Sequence, residues 1–189
     1  MTLLAEKFVG KTDNLGMRVA EALKNLNEPL IENSEIHLLG PFPVFVINTK
    51  DFINGKTRSA IKRSGWRGII LTKNQPIALV DFSPPEKDGK FSINVRGRQT
   101  AKASMLALRA AEKQIDPRGN YKVRFVTVTG LFITGLWLAG RKFSFIPTRV
   151  GSGARPAPRL YDRMDFLRLI KKQLSTAKQS LILKNRKIS

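Results

Sequence analysis

The residues whose types and spacing could do chemistry are few. Asp81 closes the apolar run Ile77–Phe82. A strand-end carboxylate can hold a divalent cation when a second carboxylate reaches it, and Glu21 on an expected first helix is the available companion. The chain has one histidine, His37, and no cysteine. That excludes disulfide frameworks, thiolate nucleophiles and Cys- or His-rich metal sites. His37 has no G-x-S-x-G or comparable nucleophile motif to serve, so it reads as structural. Two Gly-Lys-Thr triplets, at residues 10–12 and 55–57, lack the upstream glycine of a phosphate loop: Ala5 and Lys50 stand there. Neither follows a buried strand. No catalytic residue, metal site or cofactor is expected from these elements.

Charge carries the stronger signal. Thirty-four Lys/Arg oppose 14 Asp/Glu, a formal net charge of +20. Residues 1–40 hold four bases and six acids, residues 41–117 fourteen and six, and residues 118–189 sixteen and two. A field of one sign this strong repels itself, so it points to a polyanionic partner, nucleic acid first. The cations form four groups. Arg98, Lys102, Arg109 and Lys113 fall within about 60° of one another on a helix advancing about 100° per residue, with Arg96 just before them. Ala103, Ala107, Ala110 and Ala111 lie on the opposite side. Lys56, Arg58, Lys62, Arg63 and Arg67 surround Trp66, whose indole would stack on an unpaired base if exposed, or serve as a core residue at the start of a strand if buried. Arg149, Arg155 and Arg159 punctuate a Gly/Pro-rich loop. Arg168, Lys171, Lys172 and Lys178 occupy one side of a final helix.

The other side of that helix, Leu167, Ile170, Leu174, Ala177 and Leu181, repeats at 3,4,3,4 spacing. This seam fits either docking on its own domain or a protein partner. Nothing here reads base edges: no C2H2 finger, no paired RNP aromatics and no basic region running into a zipper.

The elements that must position these residues follow from periodicity and turn residues. A helix is expected around Leu15–Leu26, then strand pieces at Ile36–Leu39 and Val44–Ile47, forming two strands or one bent edge strand around Gly40-Pro41-Phe42-Pro43. Asp51–Gly55 reads as a turn and Thr57–Arg63 as a short helix. Gly68–Thr72 and Ile77–Phe82 form a hairpin across Lys73-Asn74-Gln75-Pro76, and Phe91–Val95 is a further strand. A helix over Arg98–Ile115 leads to strands at Tyr121–Thr129, Leu131–Ala139 and Lys142–Ile146. A linker over Thr148–Arg159 precedes a last helix over Asp162–Leu183. The uncharged run Phe125–Gly140 is too short and glycine-rich to span a bilayer and reads as buried strand.

The order helix, three strands, helix, strand over about residues 14–130 loosely resembles the core of restriction-endonuclease-type nucleases. That resemblance implies an acid and a lysine two apart on the third strand. Phe91–Gly97 offers only Ser92-Ile93-Asn94 or Asn94-Val95-Arg96, so a metal-dependent or catalytically degenerate nuclease stands as the alternative function.

The expected fold is α+β: a single domain with a largely antiparallel or mixed central sheet, flanking helices and a basic C-terminal amphipathic helix. Its expected parts are a core over residues 1–147, a basic linker over 148–160 and the helix with its tail over 161–189. The expected function is non-enzymatic binding of the nucleic-acid backbone, DNA or RNA, as a subunit of a nucleoprotein assembly with possible protein partners. A scaffold docking through the last helix is a further alternative. Nothing resembles a secretory signal, so an intracellular protein, cytoplasmic or nucleoid-associated, without a membrane span, is expected.

Overall fold

The computed structural model describes residues 3–4, 19, 23, 36–84, 92–116, 119–152 and 156–186, the side chains of 3–4, 57–58 and 178–186 excepted. The described chain forms one mixed α+β sheet structure of eight strands. They are β1 (Leu3–Leu4), β2 (Ile36–Ile47), β3 (Ile61–Thr72), β4 (Gln75–Phe82), β5 (Ile93–Arg96), β6 (Tyr121–Val128), β7 (Ile133–Ala139) and β8 (Phe143–Arg149). Short helices α1 (Thr49–Ile53) and α2 (Thr57–Ala60) join β2 to β3. The longer α3 (Arg98–Gln114) joins β5 to β6, and α4 (Arg163–Arg186) follows β8. The sheet order is β5-β4-β3-β2-β6-β7-β8, with β1 parallel to the start of β6.

Neighbours are antiparallel except at β6, which runs parallel to both β2 and β1. The parallel step needs a long crossover, and α3 supplies it. Lys73 and Asn74, both with left-handed φ (48° and 61°), make the tight β3–β4 turn that matches strand twist.

Several expectations need correction. The two strand pieces around Gly40 are one strand, and β2 is central rather than an edge. Its prolines are tolerated because β6 pairs only with Val44–Ile47, so the edge of β2 at Pro41 and Pro43 carries no ladder to β6. A register shift between Leu39 and Phe42 absorbs the local irregularity. The expected helix over Thr57–Arg63 stops at Ala60, because Ile61 pairs with Ile47 and draws the following residues into β3. The expected turn over Asp51–Gly55 is helical as far as Ile53, the end of α1, and only Asn54 and Gly55 turn. The Asn48 side chain caps α1, accepting from the Asp51 amide. The end of the segment after β8 is pinned at Pro158–Tyr161: Phe145 and Tyr161 exchange two backbone bonds, and the Gln114 side chain holds Leu160 N and Pro158 O.

Side-chain alternation divides the core between the two sheet faces. On one face Ile69, Leu79, Phe125, Leu136 and Ile146 meet the small side of α3, Ala101, Ala107 and Ala111. The helix therefore lies close, with Lys102, Arg109 and Lys113 outward and exposed, in agreement with the helical wheel. On the other face α4 packs Phe166 and Ile170 against Phe145, Val126 and Ile133. Val19 and Leu23, helical and buried, sit with Trp66, Ile70 and Val80 on that same alternation. Among the described residues, no helix is long and apolar enough to cross a membrane.

Candidate nucleic-acid interface

The face under α3 changes character partway along the strands. One two-residue step from the apolar layer, Ile69 gives way to Arg67, Leu79 to Asp81, Phe125 to Thr127 and Leu136 to Thr134. On β8 the step from Ile146 reaches Thr148, which falls within a register shift. The shift lets Thr148 and the adjacent Arg149 turn to the same hollow. The result is a cavity of about 540 Å³ between the sheet and the first turns of α3. Its walls are three arginines (Arg67, Arg96, Arg149), five hydroxyl residues (Thr100, Ser104, Thr127, Thr134, Thr148), Ala103 and Phe132.

Asp81 organises the arginines. Arg67 Nε and Nη2 donate to its two oxygens at 2.6 and 3.0 Å, and Arg96 Nε donates at 2.7 Å. Burial by itself raises the Asp81 carboxyl. The hydrogen bonds and charges of Arg67, then of Arg96, outweigh that effect and hold it below its ordinary value of 3.8. Arg67 is almost fully buried, with 8% of its side chain exposed, whereas Arg96 is half exposed. Arg149 Nε donates to Gly151 O, and its guanidinium lies 5.4 Å from the Phe132 ring centre. Asp81 balances one of the two guanidiniums it holds, and Arg149, which lines the same cavity, bonds a backbone carbonyl and no carboxylate in this group. The three arginines therefore carry two positive charges beyond the one carboxylate. Phe132 itself is 62% exposed and has φ +51°, a conformation that bulky residues rarely adopt.

Two smaller hollows continue the cavity. One of about 310 Å³ shares Arg67, Arg96 and Thr127 with it and reaches Ser83, Ser92 and Asn94. The other, of about 210 Å³, shares Ala103 and Thr148 and reaches Lys102, Leu106 and the prolines at 156 and 158. Together they form a cationic trough across the end of the sheet.

The structure thus gathers Arg67, Arg96, Lys102 and Arg149, and leaves other expected contacts apart. Lys62 lines a separate hollow with Asp51. Lys56 is exposed beside α2, and Arg98 is half-buried at the start of α3. Trp66 is 3% exposed and carries the Arg63 guanidinium 3.7 Å from its ring centre, so it is a core residue and not an open stacking surface. Arg159 lies over Tyr161, and Arg168 pairs with Asp165. Lys171 and Lys172 are exposed on α4, across the sheet from the trough. Of the two readings open for the α4 seam, its described part fits docking on its own domain: Ile170 is fully buried and Leu167 and Leu174 pack beside it against the sheet. Glu21, Arg155 and the side chains of Arg58, Lys178 and Leu181 lie outside the described residues.

Sequence reasoning missed Phe132 and the hydroxyl lining. Its usable signal was the polar residue at the inward position of an otherwise apolar strand. The third strand of the meander is β4, so the position implied by the nuclease resemblance reads Asp81-Phe82-Ser83, an acid without the lysine. No protein-family model, curated protein or solved structure matches the chain.

Proposed function

We propose that this protein binds nucleic acid through its phosphate backbone, with the strand lying in the trough that runs from Asn94 past Arg96, Arg67 and Arg149 to Lys102. One observation carries the reading: three arginines converge on a hydroxyl-lined cavity, with a single carboxylate holding two of them in place. Guanidiniums suit phosphate oxygens because their N–H groups form a planar fork, and fixing them in advance lowers the ordering cost of binding. The net charge of +20 draws any polyanion toward the molecule.

The test is an anisotropy titration of labelled duplex and single strand over about 50 to 200 mM salt. Each neutralised phosphate contributes about −0.9 to the log–log slope on a duplex and about −0.7 on a single strand. A slope equivalent to several released ions supports the reading. A flat slope, or no binding at the lower salt, overturns it.

A metal-dependent nuclease is the second reading, favoured by the position of Asp81 on the third strand of a meander followed by α3 and a parallel β6. Against it, both Asp81 oxygens already accept from arginines. Magnesium-dependent loss of substrate, abolished in Asp81→Asn, would favour this reading over the first.

A further inference from the structure

We propose that the cavity takes one unpaired nucleotide of a single strand, its phosphate on Arg67, Arg96 and Arg149 and its base stacked on Phe132. This rests on the nucleic-acid reading above and names the class of strand.

Phe132 is the first ground. It occupies the β6–β7 turn, where the preceding Leu131 is 5% exposed and anchors the turn in the core. Phe132 is turned out instead, 62% exposed, in a left-handed conformation. Glycine or asparagine would satisfy that backbone better, and a polar side chain would satisfy the exposure better. An aromatic ring there conflicts with both local preferences, which is the pattern expected where a side chain serves a ligand. Arg149 lies at the ring, 5.4 Å from its centre, so a base on the ring would extend an arginine–aromatic stack.

Depth is the second ground. Arg67 lines the cavity, but only 8% of its side chain is exposed. A duplex presents its phosphates on a stiff, broad surface and keeps its base faces stacked inside. It offers Phe132 no ring face and cannot lower one phosphate toward Arg67. A single strand can bend one phosphate inward and unstack the neighbouring base. The cavity volume, about 540 Å³, suits one nucleotide within the usual range for small-ligand sites.

The experiment compares wild type, Phe132→Asn, Phe132→Ala and Phe132→Trp by anisotropy. The probes are a labelled short oligothymidylate and a labelled duplex of matched length, with thymidine monophosphate and orthophosphate as competitors. Asparagine relieves the backbone while removing the ring, so Phe132→Asn should keep or gain stability in urea and still lose about tenfold in single-strand affinity. Tryptophan should restore that affinity. Duplex affinity and competition by orthophosphate should not change. Equal single-strand affinity in wild type and Phe132→Asn overturns the proposal while leaving the broader reading intact. Equal loss on duplex and single strand does the same. Thymidine monophosphate binding as tightly as the oligonucleotide would overturn the strand in favour of a free nucleotide. No binding of either labelled probe by wild type would overturn both readings.

Discussion

Arg67 and Asp81 are register partners on β3 and β4, and the guanidinium closes on the carboxylate with two hydrogen bonds of 2.6 and 3.0 Å. The pair sits where the apolar layer under α3 ends, with Arg67 almost fully buried. Such a charge is tolerable only with its counter-ion in place.

Asp81→Ala should therefore destabilise the fold by about 3 kcal/mol, the lower range for orphaning one member of a buried pair. Urea denaturation reads this as a lower midpoint with an unchanged slope. An unchanged midpoint would mean that water already satisfies Arg67.

The same pair sets a pH dependence. The folded Asp81 has a lowered pKa, so between its folded and unfolded values the unfolded chain binds more protons. Its contribution is fully present above the ordinary value of 3.8 and is lost as pH falls through the lower folded value. Urea midpoints measured down from pH ~5 should fall through this window, and Asp81→Asn should flatten part of that fall.

Arg96→Ala and Arg149→Ala should each reduce the salt slope of binding by about one phosphate, a change of ~0.7 to 0.9. Lys171→Ala, on the opposite layer, should leave the slope unchanged. Equal effects from all three would assign binding to diffuse charge rather than to the trough.

Phe166 holds α4 to the sheet, with its ring 4.4 Å from Phe145 and 5.4 Å from Phe143, centre to centre. Phe166→Ala should cost about 3–5 kcal/mol, read from urea denaturation. Removing residues 163–189 would uncover Phe145, Ile133 and Val126 and should produce aggregation rather than a clean loss of one partner.

Much of the fold was legible because its signals are local. The alanine side of α3 and the cationic stripe opposite it follow from helical spacing, and the β3–β4 hairpin follows from turn residues around Asn74. The route of β2 was not legible. Gly40, Pro41 and Pro43 argue locally for an edge, and only the pairing of Val44–Ile47 with a strand some eighty residues away places β2 centrally. The cavity was half legible. Arg67, Arg96, Lys102 and Arg149 were selected as cations, but their convergence depends on strand register. Thr127, Thr134 and Thr148 look unremarkable alone and become a lining only when three strands align. Trp66 was open to two readings, since an aromatic neighbour of cations is equally compatible with stacking and with a core position, and it takes the core position.

The parallel pairing of β2 with β6 also orders events during synthesis. The ribosome releases β2 to β5 well before β6, and among the described residues the strand that pairs with the β6-facing edge of Val44–Ile47 is β6 itself. The nascent meander therefore carries an open strand edge until Tyr121–Val128 emerges. Contacts of such long sequence separation make folding slow relative to helical proteins of this size. A chain terminated between α3 and β6 would keep that edge permanently and should self-associate through it.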